Sequence, residues 1–154
     1  MCDTEIHHVF GTSSGRDQDL HPLCNSYTLE LQTPIKDVQK VELLFASVPN
    51  PHPSSNTFAF LDIEELRTTL NHGAGSSLIN RSFGLIPLDV ATGTLKTFKA
   101  ATDFEFEVQY PYPIRKLSKL TVRWLDRNGN LLNIGAGDTT TFVLRIHTAR
   151  TNLC

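Results

Sequence analysis

The side chains able to do chemistry here are six histidines, three cysteines and sixteen carboxylates, and their spacing decides what they can do. His7, His8, Cys2 and Cys24 offer the nitrogen and sulfur ligands that zinc takes, but no C-x-x-C or H-x-x-x-H spacing accompanies them. "HGAGSS", His72 to Ser77, has the look of an oxyanion-hole glycine loop. A hydrolase of that type also needs its serine in a G-x-S-x-G elbow, and the chain has none. "GTSSG", Gly11 to Gly15, lacks the G-K-[ST] of a phosphate-binding loop.

Two charged groupings remain. Glu105 and Glu107 stand two apart with Asp103, so they share one face of a strand. Paired carboxylates can do acid–base work, yet on a polar strand face they read as solvated, with a stripe that docks a basic partner as the second reading. Arg115, Lys116, Lys119, Arg123 and Arg127 make the one basic concentration, with Tyr110, Tyr112 and Trp124 nearby. Those are the ingredients of a single-stranded nucleic-acid platform. Trp124, however, alternates in phase with Leu120 and Val122, which assigns it to the core and leaves the cations as a solvated rim. Arg123 and Arg127 are then the groups of that stretch left free for a partner. No nucleophile, base and orienting group coincide, so no catalytic, cofactor-binding or metal residues are expected, and no enzyme.

The elements that carry these residues read as strands. "YTLELQ" puts Tyr27, Leu29 and Leu31 on one face, and Pro34 closes it. In "VQKVELLFASV" Val41, Leu43 and Phe45 form one face, but Leu44, Ala46 and Val48 make the other apolar too, as in a strand covered on both sides. "PNPHPSSN" is a break. A strand in "TFAFLDIEEL" ends near Leu66, and "FGLIPLDV", with Pro87 inside, belongs at a sheet edge or bend. A turn at Thr92-Gly93 follows. "TDFEFEVQY" alternates Phe104, Phe106, Val108 and Tyr110 inward and is ended by "PYPI". "KLTVRWLD" alternates Leu120, Val122 and Trp124 inward. Asn128-Gly129 then marks a hairpin whose two central residues need positive φ. "TTFVLRIH" alternates Phe142, Leu144 and Ile146 inward.

About eight strands separated by Gly, Pro and Asn turns predict an all-β fold: an eight-stranded antiparallel β-sandwich, a single jelly roll. The first 25 residues show no sustained period and read as an N-terminal arm; 26–150 form the jelly-roll domain and 151–154 a C-terminal tail. A length of 154 residues suits one domain with its own core. The net charge of −2 gives no general pull toward nucleic acid or anionic membranes. No apolar run approaches the roughly 20 residues that span a bilayer. "MCDTEIHHVF" lacks the basic and apolar regions of a signal peptide, and three scattered cysteines make no disulfide framework. Free thiols and folding inside a cell are expected.

Three stretches taken together carry a resemblance. They are "YTLELQTPIKDVQKVELLFASVPN", "SFGLIPLDV" and "YPYPIRKLSKLTVRWLDRNGNLLNIGAGDTTTFVLRIHT". Their order and spacing are similar to the single jelly-roll penton and minor capsid proteins of large icosahedral double-stranded DNA viruses, the algal-virus and giant-virus lineage. The likeness covers most of residues 26 to 148. Of the arginine- and aspartate-rich opening that this family often has, "GRDQDLHPLCNSY" keeps Arg16, Asp17 and Asp19. The resemblance implies a virion structural protein, without cofactor or catalytic residues. The leading form it implies is a homopentameric penton at the five-fold vertices, with itself, the major capsid protein and other minor capsid proteins as partners. Two alternatives stand beside it. One is a minor capsid protein that cements capsomers. The other, of a different class, is a jelly-roll module that binds glycan or peptide through "PNPHPSSN" and "NHGAGSSLIN". The N-terminal segment and "ARTNLC" are the expected straps between subunits.

Overall fold

A computed structural model describes residues 4–50, 58–68, 83–91, 93–103, 105–126, 128–134 and 138–149. These form seven strands: β1 (Thr4–Thr12), β2 (Ser26–Pro49), β3 (Phe58–Ile63), β4 (Gly84–Pro87), β5 (Leu95–Lys99), β6 (Phe106–Leu125) and β7 (Thr141–Ala149). Every pairing is antiparallel, in the order β1-β7-β2-β6-β3-β4, with β5 also on β2. The fold is all-β, a curled antiparallel sheet of the jelly-roll-like sandwich kind.

Two long strands make the curl. β2 and β6 run as single strands through the prolines that sequence reading takes as breaks. Their ladder slips twice. Between Glu30 and Ile35 of β2 lie four residues, Leu31 to Pro34, against one on β6. Between Ile114 and Gln109 of β6 lie four, Tyr110 to Pro113, against one on β2. Pro34, Pro111 and Pro113 thus fall where the ladder is interrupted and needs no N–H from them. Asp37, the one described non-glycine with positive φ, at 56°, sits between the two slips. Paired bulges of this sort let a strand bend from one sheet into the other. The first half of β2 pairs with the second half of β6, which carries β3 and β4 beyond it; the second half of β2 lies between β6 and β7, with β1 outermost.

The core runs through both halves as one cluster. The inward alternation of Leu120, Val122 and Trp124 holds, as does that of Phe142, Leu144 and Ile146; all six are buried. On β2 a further slip between Leu43 and Phe45 switches the core face from Val41 and Leu43 to Ala46 and Val48, and from Ala46 to Asn50 both faces are covered. β4, with Pro87, is an edge as expected. β3 stops at Ile63, earlier than Leu66, because Glu64–Leu66 turn into one 3-10 turn.

The segment read as an arm contains a paired strand. All nine residues of β1 are in register with β7, and Ser13 in the 3-10 turn that follows exchanges bonds with Thr140: its N–H donates to the Thr140 carbonyl, and its hydroxyl accepts from the Thr140 N–H, both at 2.9 Å. The pattern of β1 runs inside out. Its inward positions are Glu5, His7, Val9 and Gly11, while Ile6 and Phe10 point outward and are 51% and 77% exposed. A hydrophobic period aimed at the core is therefore missing from the sequence.

Candidate assembly surfaces

"KLTVRWLDRNGN" raises the question of a binding site, and its side chains answer it. Trp124 is fully buried. Its indole N–H points at the Tyr27 hydroxyl (3.4 Å), which lies 3.0 Å from the Thr140 hydroxyl; Thr140 Oγ1 in turn donates to the Cys24 carbonyl at 3.1 Å. Burial pushes the Tyr27 hydroxyl and the Cys24 thiol above their ordinary pKa values, so neither is an available anion near neutral pH. This chain of bonds fastens the turn after β1, the start of β2, β6 and the lead into β7. It is scaffold.

The turn after Trp124 corrects one expectation. Gly129 has φ 84°, but Asn128 is not in the positive-φ region. Gly129 N–H donates to the Asp126 carbonyl at 3.1 Å, and the Asp126 carboxylate accepts the N–H groups of Asn128 (2.8 Å) and Asn130 (3.0 Å). An aspartate-organised turn closed by a glycine bulge needs one left-handed residue rather than the two of a type I′ turn.

Arg123 is not free. Across the β3–β6 ladder it faces Asp62, whose carboxylate accepts from Arg123 Nη2 at 2.7 Å and from Arg67 Nη2 at 2.6 Å. Burial acts to raise the Asp62 pKa, but the Arg67 and Arg123 guanidiniums outweigh it and hold the carboxyl below its ordinary value. Beside it Glu65 accepts from the Thr121 N–H (2.6 Å) and hydroxyl (2.8 Å). These contacts clamp the 3-10 turn after β3 onto β6. Arg127 lies outside the described residues.

The other candidates disperse. His7 and His8 project to opposite faces of β1, His7 toward Glu5 at 3.1 Å, and Cys24 is buried elsewhere. Cys2 and "HGAGSS" lie outside the described residues. Among the described residues no three His, Cys, Asp or Glu side chains gather as a metal set. "GTSSG" ends β1 and forms the turn on Thr140. Glu105 is exposed, Glu107 pairs with Lys40 at 3.6 Å, and Asp103 accepts the Lys99 N–H at 2.8 Å and lies 3.5 Å from the buried ammonium of Lys96. The acidic stripe is thus split among separate partners. No helix among the described residues is long and apolar enough to cross a membrane.

What the sheet presents outward is ordered by its register. One row reads His8, Arg145, Glu42, Glu107, and its carboxylates have partners: Glu42 lies 2.8 Å from His147 Nε2 of the neighbouring row and 3.5 Å from Arg145. The hydrogen bond from His147, against burial and helped by the charges of Lys40 and Arg145, holds the Glu42 carboxyl below its ordinary pKa. The next row reads Phe10, Val143, Phe45, three apolar residues, and ends in Lys99 on β5. At the bend, Lys36 and Lys116 are direct cross-strand partners, with Arg115 and Lys119 beside them; all four are exposed. Tyr112, on the β6 slip, is 89% exposed.

The described residues thus form an all-β, jelly-roll-like body that exposes, among other features, Phe10 on its edge strand and a basic bend. No family model matches the chain. Over 147 residues it is 26% identical to "Penton capsid protein P1" of Paramecium bursaria Chlorella virus 1, covering 95% of this chain and 85% of that one. The resemblance to penton capsid proteins read from the motif order is borne out, and the chain is a distant homologue of a viral capsid protein.

Proposed function

We propose that this chain is a virion structural protein, a single jelly-roll capsid subunit that closes into a homopentamer at the five-fold vertices of an icosahedral double-stranded DNA virus. It is assembled inside the host cell, works without cofactor or catalysis, and has itself, the major capsid protein and other minor capsid proteins as partners. The observation that carries the reading is the likeness to a penton protein along nearly the whole of both chains. The inside-out strand supports it. An edge strand that turns Ile6 and Phe10 to solvent, beside Val143 and Phe45, is disfavoured in a protein that stays alone and is suited to burial against a neighbour. Head-to-tail contacts between identical copies close into a ring when the rotation per copy divides a full turn.

Quantitative mass spectrometry of gradient-purified particles tests it. Five copies per vertex, measured against the major capsid protein, is the expected result. Absence of the chain from the particles overturns the capsid role. Presence at another stoichiometry overturns the penton assignment and favours a protein that cements capsomers.

A further inference from the structure

The cations of the described residues divide unevenly. Arg67 and Arg123 are held by Asp62, Lys96 by Asp89 and Asp103, Lys40 by Glu107, and Arg145 by Glu42. Arg16 is bonded to the carbonyls of Ser13, His21 and Pro22. Apart from Lys99, the described cations without such a partner lie together on the bend: Lys36, Arg115, Lys116 and Lys119. Two of them, Lys36 and Lys116, face each other directly across the ladder, with Cβ atoms roughly 5 Å apart, an arrangement that destabilises a sheet by like-charge repulsion. Glu30 opposite Lys119 and Asp37 beside Lys36 reduce the positive charge without cancelling it. Tyr112 stands out of the same bend. An exposed aromatic in the same bend as unpaired cations has the composition of an interface anchor for an acidic partner.

The chain itself carries a surface of the opposite kind. The loop between β1 and β2 exposes Asp17 and Asp19, and next to them Leu20, which is 74% exposed. The loop is pinned from within by Arg16 and by the Asp19 N–H donating to the Asp17 carboxylate at 3.0 Å, so it is presented rather than slack. The two surfaces are separated by up to roughly 30 Å of β2, from Ser26 to Lys36. They are different places on one molecule, as a head-to-tail contact requires.

Given the ring of identical copies proposed above, we infer that the basic bend of each copy, Lys36, Lys116 and Tyr112, receives the Asp17–Leu20 loop of the next. The contact relieves the Lys36–Lys116 repulsion and steers the order of assembly by charge.

Native mass spectrometry of the full chain, with sedimentation across salt concentrations, reads this out. The wild type assembles at low salt and loosens as salt rises, because exposed charges are screened over about 10 Å at 0.1 M. Lys36→Glu with Lys116→Glu, or Asp17→Lys with Asp19→Lys, raises the concentration at which half the protein is assembled by about tenfold or more, with an unchanged thermal melt. Tyr112→Ala, which alters no charge, weakens assembly as well. All four charge reversals in one chain restore it. Charge variants that assemble like wild type overturn the docking assignment and leave the ring reading standing. Two reversals that each dissociate the ring, with no recovery in the fourfold variant, show that the surfaces do not meet and overturn it too. A wild type that stays monomeric at every concentration overturns the ring reading itself, and the docking with it.

Discussion

The ring of Phe142 lies against Gly11, its partner across the β1–β7 ladder, so closely that a methyl group on Gly11 would stand 2.1 Å from the ring's Cζ. Phe142 is buried in the core, so the ring can yield only by repacking its neighbours. The aromatic covers the glycine, and the glycine makes room for the aromatic; β1 is seated on the body by that fit and by its nine-residue register. Gly11→Ala is therefore expected to destabilise by about 1–3 kcal/mol, the usual cost of overpacking. Limited proteolysis should show the loss concentrated in residues 4–12. A variant as stable and as protease-resistant as wild type would contradict the packing.

Trp124 is the only tryptophan, and it is fully buried. Its emission should be blue-shifted and shielded from a soluble quencher until the protein unfolds. Tyr27→Phe removes the hydroxyl that joins Trp124 to Thr140 and is expected to cost about 1–3 kcal/mol, the penalty for leaving buried polar groups unpaired. Denaturant titration followed by Trp fluorescence measures both. Ready quenching of the native state would place the ring at a surface and reopen the binding-site reading of its strand.

How far the sequence discloses this molecule depends on where each signal lives. Trp124, Val122 and Leu120 alternate cleanly because one face of their strand is core and the other solvent. β1 alternates too, but its inward side holds Glu5, His7, Val9 and Gly11, with Val9 the lone large apolar residue, and its outward side Ile6 and Phe10, so no core-facing apolar period marks it. Pro34, Pro111 and Pro113 read as strand ends because a proline cannot donate to a ladder. They are compatible with one long strand only where the ladder slips, and the slip is a property of the pair, not of either sequence alone. Arg123 reads as free for the same reason: Asp62 stands 61 residues away, and only the β3–β6 register brings them together. On the basic bend, Arg115, Lys116 and Lys119 form a cluster visible in the sequence, but its fourth member, Lys36, comes from a strand 80 residues earlier and is supplied by pairing.

Asp62 and Glu42 make stability depend on acid in one direction. Their folded pKa values lie below the unfolded ones, so the unfolded chain binds protons more readily and stability falls as pH drops. Their contribution is complete above the unfolded values, about 4, and is lost as pH falls through the folded ones. Asp62→Asn should cost about 1.5–3 kcal/mol at neutral pH, the range for hydrogen bonds to charged groups, and should flatten the acid limb of the stability curve. Urea titrations between pH 3 and pH 7 check both; an unchanged acid limb in the variant would assign the acid sensitivity elsewhere.

At the Asp126–Asn130 turn, one residue carries the conformational demand. Gly129→Ala, forced to positive φ, should lose about 1–2 kcal/mol. Asn128→Ala should lose less, because Asn128 holds an ordinary φ and offers the turn its backbone N–H, which alanine keeps. Equal losses at the two positions, read from thermal melts, would favour a turn with two left-handed residues.

Cryo-EM of the icosahedral particle measures directly where the protein sits. The expected result is five copies of this fold closed around each five-fold axis, with Phe10, Val143 and Phe45 covered by a neighbour. A shell in which every density is accounted for without this chain would contradict it.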